Sequence, residues 1–334
     1  MMKLFYNCSF FEEQKQKDTS FIVKQSELVL DSVVKGKHKF KKKEVNYRCK
    51  WKISNQFDNK KPCVLIPTKD NLDLLKYTLN NLKEFDITTK TNVVIIDDRS
   101  EQEIESLLEE SISYLRVDND KGFNFSMLNN IPAKLCYDLG CEIIILWNSD
   151  LWCNDAQALD ILLKKHKDNN CTISGTKLIY PPQSMSLTGE VDNENIKTFF
   201  KDKLNGTWRN TVQFGGDFFY NNHLHHYGRF KDPDEYRIDC DRPATFITGA
   251  FQIIDLKKFI AIGGLNPSLS KNYQDNDLCF KVVESGDKVF YFGKDYSFYH
   301  DESATMIENK LDNQFKSDQV LFGKIWNDRI KELL

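Results

Sequence analysis

No stretch of this 334-residue chain is apolar for the roughly 20 residues that a membrane-spanning helix needs. The opening MMKLFYNCSFFEEQ is broken by Asn7 and then by Glu12 and Glu13, too early for the apolar core of a secretory signal. An excess of positive charge is missing too. Against 46 Lys and Arg stand 49 Asp and Glu, a net charge of −3, which removes the global electrostatic case for a nucleic-acid partner. The nine cysteines are scattered, odd in number and never spaced as C-x-x-C, so neither a disulfide framework nor a closed zinc site is indicated. Mostly buried thiols in a reducing compartment are expected, and the expected location is cytoplasmic. Two phosphate-cradling signatures are also absent, G-x-G-x-x-G and G-x-x-x-x-G-K-[ST]. A glycine-loop nucleotide site is therefore excluded.

What is present suits a soluble globular protein: 40% hydrophobic and 28% charged residues, on a chain long enough for one large or two modest domains. The first sixty residues stand apart as an extension. A strand or hairpin over Phe21–Val34 leads into KGKHKFKKK at 35–43. The plain expectation for that run is a solvated loop; the competing use is an anchor for anionic lipid or a phosphate-rich partner. Only Phe40 interleaves the charges, which argues against stacking on bases.

From Pro62 the pattern alternates. CVLIP reads as a buried strand, followed by a helix that Asp70 or Asn71 caps, with Leu72, Leu75, Leu79 and Leu82 on one face. NVVII (92–96) is a second strand, with a helix expected around Glu103–Leu108 and a short strand at Tyr114–Val117. FSMLNNIPAKLCYDLG reads as a helix that Gly140 stops, with Pro132 marking a kink or a shifted start. A strand at 142–147, a helix near 155–167 and a strand at 171–179 complete the series. Alternating β and α segments with uniformly apolar strands predict an α/β fold with a mostly parallel sheet flanked by helices.

In such sheets ligands bind beyond the carboxyl ends of the strands. Three of those ends are polar here: Thr68 and Asp70, Asp97 and Asp98, then Asn148, Ser149 and Asp150. One polar end is a turn, since Asn, Ser and Asp form turns readily. Three together point to a site. Carboxylates repel a bare diphosphate, and a hard divalent cation, Mg2+ or Mn2+, resolves the conflict by taking carboxylate and phosphate oxygens together. The edge therefore suggests a metal-bound nucleoside diphosphate held without a glycine loop.

At this point residues 62–306 resemble family 2 glycosyltransferases with the GT-A, Rossmann-like nucleotide-sugar fold. The resemblance is carried by IPTKDN (66–71), VVIIDDRS (93–100), NDKGFNFSMLNN (119–130), WNSD in the place of a D-x-D metal motif, ITGAFQIID, NYQDNDLCF (272–280) and YHDES. It implies an inverting transfer of a hexosyl or deoxyhexosyl group from a nucleotide-diphosphate sugar to an acceptor hydroxyl, in polysaccharide or glycoconjugate synthesis. The implied acceptor is a glycan or a lipid-linked glycan. Asp98, with Asp97 as alternative, would contact base or ribose. Thr68 and Asp70 would lie beside the nucleoside, Lys121 near the phosphates, and Asn148 and Ser149 at the donor. Asp150 and His300 would hold the metal. Asn148 replaces the first acid of D-x-D, and Gln274 replaces the Glu beside the presumed general base, Asp275. A carboxylate suits that task because it is ionised at neutral pH. The plain alternative is that Asp275 or Asn276 only caps a helix through Leu278 and Val282. Asp277 reads as structural.

The resemblance implies 61–310 as the catalytic domain, with 61–180 the nucleotide-sugar half and 181–310 the acceptor half. Within 181–245, Trp208, Tyr220 and Tyr227 are candidate sugar-stacking platforms, with His226, Arg229 and Gln274 as acceptor contacts. Residues 311–334 read as an amphipathic helix that packs on the body or on a second subunit. Peripheral membrane contact and self-association stay open. Two other readings compete: a catalytically silent carbohydrate-binding or scaffold protein of the same fold, and a sugar nucleotidyltransferase, for which IPTKDN lacks the glycine- and lysine-rich loop.

Overall fold

A computed structural model describes residues 18–34, 36–185, 208–220, 223–301 and 313–330. The chain opens with two long antiparallel strands, β1 (Asp18–Val34) and β2 (Lys37–Lys52), whose register slips between Leu30 and Ser32. The inner half of β2 alternates: Val45, Tyr47, Cys49 and Trp51 are buried, while Asn46, Arg48, Lys50 and Lys52 are exposed. That is the pattern of a strand with one dry face. The basic run is not a loop. From Lys37 onward it lies in β2, facing β1, and Lys41 pairs with Asp31 at 2.6 Å.

The α/β part follows in order: β3 (Cys63–Thr68), α1 (Leu72–Glu84), α2 (Ile87–Lys90), β4 (Asn92–Asp97), β5 (Ile112–Asn119), α3 (Phe125–Asp138), β6 (Ile143–Trp147), β7 (Leu151–Cys153), α4 (Ala158–Asp168) and β8 (Ile173–Ile179). Then come β9 (Val212–Phe214), β10 (Asp217–Tyr220), β11 (His223–His226), β12 (Asp241–Pro243), β13 (Phe251–Asp255), α5 (Leu256–Ala261), α6 (Gln274–Glu284), β14 (Val289–His300) and α7 (Asn313–Trp326). Only a 3-10 turn, Glu105–Leu107, forms where a helix was expected near 103–108. The third helix runs on through Pro132; Asn124 caps its start by accepting from the Met127 amide at 3.0 Å.

The main sheet has the order β1-β2-β5-β4-β3-β6-β13-β8-β14-β12, with β7 on β14 and β9 on β8. From β5 to β14 every strand points the same way except β13. The sheet is thus mostly parallel, and the helices α1, α3, α4, α5 and α6 pack on it. Every residue of β4 and β6 is buried, as strands covered on both faces require. The N-terminal ribbon continues this sheet, because β2 pairs with β5 over Tyr47–Lys52. The last helix packs back on the body: Leu321, Phe322 and Trp326 cluster with Leu269 and Phe280, and Leu28 and Phe40 of the ribbon lie against them. Among the described residues no helix is long and apolar enough to cross a membrane.

Candidate active site

Strands β4, β3 and β6 are neighbours, so their carboxyl ends share one edge. Thr68 lies opposite Asp97, and the Thr68 carbonyl accepts from the Asp98 amide at 2.9 Å. The Asn148 amide donates to the Ala250 carbonyl at 3.0 Å, which joins the end of β6 to the turn before β13. The Ser149 carbonyl accepts from the Thr78 hydroxyl at 2.5 Å, tying the same turn to α1.

The two adjacent aspartates have different tasks. Asp97 is fully buried; its Oδ1 accepts from the Ser100 amide at 2.7 Å, and its Oδ2 from the Tyr114 hydroxyl at 2.7 Å and Arg116 Nη1 at 2.9 Å. It is a brace for the loop. Burial, and then the Asp97 carboxylate, push the Tyr114 phenol well above its ordinary range, so it stays a donor. Asp98 is also buried, but its carboxylate meets the side chain of Arg99, which donates from Nε at 2.8 Å and Nη2 at 3.3 Å. That bond raises the Arg99 pKa, and Arg99 itself sits at φ 55°. Asp70 turns its Oδ1 toward the amides of Glu101, at 2.6 Å, and Gln102, at 3.3 Å, and so braces the same loop.

Asp150 is buried, and its Oδ1 stands 3.3 Å from Nε2 of the buried His300. The pairing of β14 with β7 sets this contact, because His300 lies opposite Leu151 and the Asp301 amide donates to the Asp150 carbonyl at 2.9 Å. Asp301 is fully buried and accepts from Arg209 Nη1 at 3.1 Å, while the Arg209 guanidinium lies 3.8 Å over the Trp208 ring. Sequence reasoning passed over both. Asp301 had only its place beside His300 to mark it, and Arg209 had no pattern at all.

Asp275 is in the first turn of α6. Tyr273, at φ 62°, stands at the N-cap, so Asp275 is not the cap residue. Its Oδ2 accepts from the Gly249 amide at 2.8 Å and its Oδ1 from the Asn276 amide at 2.9 Å. One edge reaches the surface, yet enough protein surrounds the group that lost hydration raises its pKa, opposed by those backbone donors. Gln274 is buried, and its Oε1 has no hydrogen-bond partner among the described residues. Asp277 is structural, accepting from Trp326 Nε1 at 2.9 Å.

Most of the remaining candidates are engaged by other side chains. Lys121 is ion-paired with the buried Glu27 of the ribbon, which also accepts from Tyr47 at 2.5 Å and Asn124 at 3.2 Å. The Lys121 ammonium is thereby turned from the sheet edge toward β1. Trp208 is 3% exposed, edge-on to Tyr180 at 4.7 Å, which leaves no ring face for a sugar. His226 Nδ1 lies 3.0 Å from Arg229 Nη2, and Arg229 Nη1 donates to the Tyr180 hydroxyl at 2.8 Å. These three form a partly buried chain beside Trp208. The side chain of Tyr220 lies outside the described residues; Tyr227 donates to Glu235 at 3.2 Å.

Residues 63–228 match the family model of glycosyl transferase family 2. The chain carries a glycosyl transferase family 2 domain. This match takes in the sheet edge from Thr68 to Asp150 and ends before Asp275 and His300. The family 2 chain is 27% identical over 260 residues to the uncharacterized protein y4gI of Sinorhizobium fredii; the alignment covers 72% of this chain and 24% of that one. The chain thus spans about a quarter of the length of that relative. Its fold is similar to the crystal structure of GalNAc-T7 with UDP, GalNAc and Mn2+, at a TM-score of 0.56 and 13% identity, over 81% of this chain and 50% of that one. The mannosyltransferase PcManGT from Pyrobaculum calidifontis in complex with GDP-Man and Mn2+ is a more distant neighbour, at a TM-score of 0.47 and 12% identity, over 76% of this chain and 61% of that one. The fold shared with GalNAc-T7 is the GT-A fold.

Proposed function

We propose that the family 2 domain transfers a hexosyl or deoxyhexosyl group, with inversion, from a nucleotide-diphosphate sugar to the hydroxyl of a glycan or lipid-linked glycan. The observation that carries the reading is the Asp150–His300 pair, at 3.3 Å, on the strand edge whose next turn supplies the Gly249 amide to Asp275. A buried carboxylate facing an imidazole, with no Lys or Arg paired to it among the described residues, fits a divalent cation: one hard oxygen and one imidazole nitrogen, with other positions left for diphosphate and water. Asp150 and His300 would hold Mn2+ or Mg2+, and the ion would neutralise charge on the leaving diphosphate. GalNAc-T7, of the same fold, was crystallised with UDP and Mn2+, which supports the assignment.

The chain's own groups then divide the work. Asp98 holds the nucleoside, exchanging its Arg99 contact for the base or ribose, while Asp97 and Asp70 keep the loop in place. Thr68, Asn148 and Ser149 line the donor side. Asp275 takes the proton from the acceptor hydroxyl as the new C–O bond forms at the anomeric carbon, and the bond from that carbon to the diphosphate oxygen breaks with its electron pair. Gln274, whose buried Oε1 has no partner among the described residues, contacts the acceptor. The work is assigned to the cytoplasm and to polysaccharide or glycoconjugate synthesis.

Thermal unfolding against UDP, dTDP, GDP and CMP, each with and without Mn2+, tests this. A nucleotide at a hundred times its Kd adds about 2.7 kcal/mol. The expected result is a rise in Tm for one nucleotide that needs metal and is lost in Asp150→Ala. No rise with any nucleotide would favour a silent protein of the same fold.

A further inference from the structure

At the opposite end of the sheet, the third helix finishes in a Schellman motif. Gly140, at φ 89°, donates to the Tyr137 carbonyl at 3.0 Å, and the Cys141 amide donates to the Cys136 carbonyl at 3.0 Å. That motif brings together the two positions that ordinarily make an apolar contact across the helix end. Here both positions are cysteine. A third, Cys63, begins β3 directly beneath them, and its Sγ lies 3.3 Å from the Cys141 Sγ. All three sulfurs lie within 4.8 Å of one another. Cys63 and Cys136 are fully buried, while Cys141 is 5% exposed at the helix end.

We propose that Cys63, Cys136 and Cys141 form a three-thiolate site for one soft monovalent cation of the Cu(I) class. Thiolate sulfur selects soft ions over Mg2+, Ca2+ and Mn2+. Three sulfurs around one ion at about 2.3 Å stand about 4 Å apart, within the 4.8 Å that bounds the cluster, so the Cys63–Cys141 pair at 3.3 Å opens slightly to admit the ion. Structural zinc asks for a fourth protein ligand, and the cluster has none among the described residues. The amide of Asn92 supplies the outer support: Nδ2 donates to the carbonyls of Asp58 at 2.7 Å and Lys61 at 3.3 Å, and Oδ1 accepts from the Asp58 amide at 2.9 Å. These bonds fix its orientation, and the Nδ2 hydrogen on the long Lys61 contact is shared with the Cys63 Sγ at 3.6 Å, where it steadies a thiolate. Binding displaces the thiol protons to solvent. Thr68, at the active edge, is five residues further along β3, roughly 17 Å away. The site therefore stands whether or not the transferase reading does.

The test is an anaerobic titration of the reduced full chain with Cu(I) against a chromophoric Cu(I) chelator. One equivalent should resist the chelator and show a sulfur-to-copper charge-transfer band in the ultraviolet. Cys141→Ser and Cys63→Ser should each remove that equivalent, while Cys171→Ser, outside the cluster, should keep it. Unfolding curves of each variant report whether the fold is intact, and Cys141→Ala, at the least buried of the three, is the second variant if Cys63→Ser unfolds. Copper retention unchanged by Cys141→Ser or Cys141→Ala overturns the proposal. So does a Cys63–Cys141 disulfide, seen by mass in the air-purified chain, whose reduced form retains no copper.

Discussion

The backbone amide of Gly249 donates to Asp275 Oδ2 at 2.8 Å, and the next residue, Ala250, accepts from the amide of Asn148 at 3.0 Å. Two bonds on consecutive residues thus connect the carboxylate of α6 to the end of β6. A carboxylate so held has little rotational freedom, and its position relative to Asn148–Asp150 is set by the backbone of one turn.

Asp275→Asn keeps the shape and removes the basicity. Transfer should fall by about 10²–10⁴-fold while nucleotide binding is unchanged. In the parent protein burial raises the Asp275 pKa. In the proposed role Asp275 works ionised, so kcat/KM should rise with pH on an acidic limb displaced upward from the ordinary carboxylate range near 4. A pH profile of both proteins checks this; the limb should be absent from the variant's residual activity.

Gly249→Ala probes the same bond from the other side. An added Cβ would stand 3.3 Å from the Asp275 Cβ and 3.4 Å from its Oδ2, closer than comfortable contact. The carboxylate must shift by a few tenths of an ångström. The rate should fall about tenfold, with a stability loss of no more than about 1.5 kcal/mol. Steady-state kinetics beside urea unfolding separate the two.

Arg209→Ala leaves Asp301 buried without its guanidinium partner. The expected loss is about 3 kcal/mol, read from denaturant midpoints. Because Asp301 follows His300 and bonds to the Asp150 backbone, the metal-dependent rise in Tm with nucleotide should shrink as well.

Asp318, on α7, accepts from the amides of Lys271 and Asn272 at 2.7 and 3.1 Å and so holds the loop leading to Tyr273 and Asp275. Burial pushes its pKa up to about 6, partly opposed by those amides. The folded protein therefore holds this proton more firmly than the unfolded chain. The stability it contributes is complete below about pH 4 and is lost as pH rises through about 6, an amount of roughly 2–3 kcal/mol. Asp318→Asn keeps an acceptor for both amides and should flatten that part of the stability–pH curve, measured by urea unfolding from pH 4 to 7.

The strands β3, β4 and β6 were legible because each is a short apolar run ending in polar residues, and burial on both faces demands that composition. The helix over 125–138 was legible from its apolar residues and Gly140; the kink or shifted start expected at Pro132 was a local inference, and the helix starts at Phe125 and continues through that residue. The basic run misled for the opposite reason. Lysines read as solvated, but the strand backbone is paired by β1 whatever its side chains do. Lys121 was expected at the phosphates from the family resemblance and Trp208 at a sugar from its position and chemistry, whereas their partners Glu27 and Tyr180 are remote in sequence.

By itself, the sequence determined the layered α/β fold, the polar strand ends and the candidate acid–base residues, because periodicity and strand-end chemistry are local. Only the tertiary structure decided that Asp97 braces while Asp98 faces Arg99, that Asp150 meets His300, and that three cysteines from two segments converge. Each of those depends on which strands lie side by side, and that is set by packing between segments far apart in the chain.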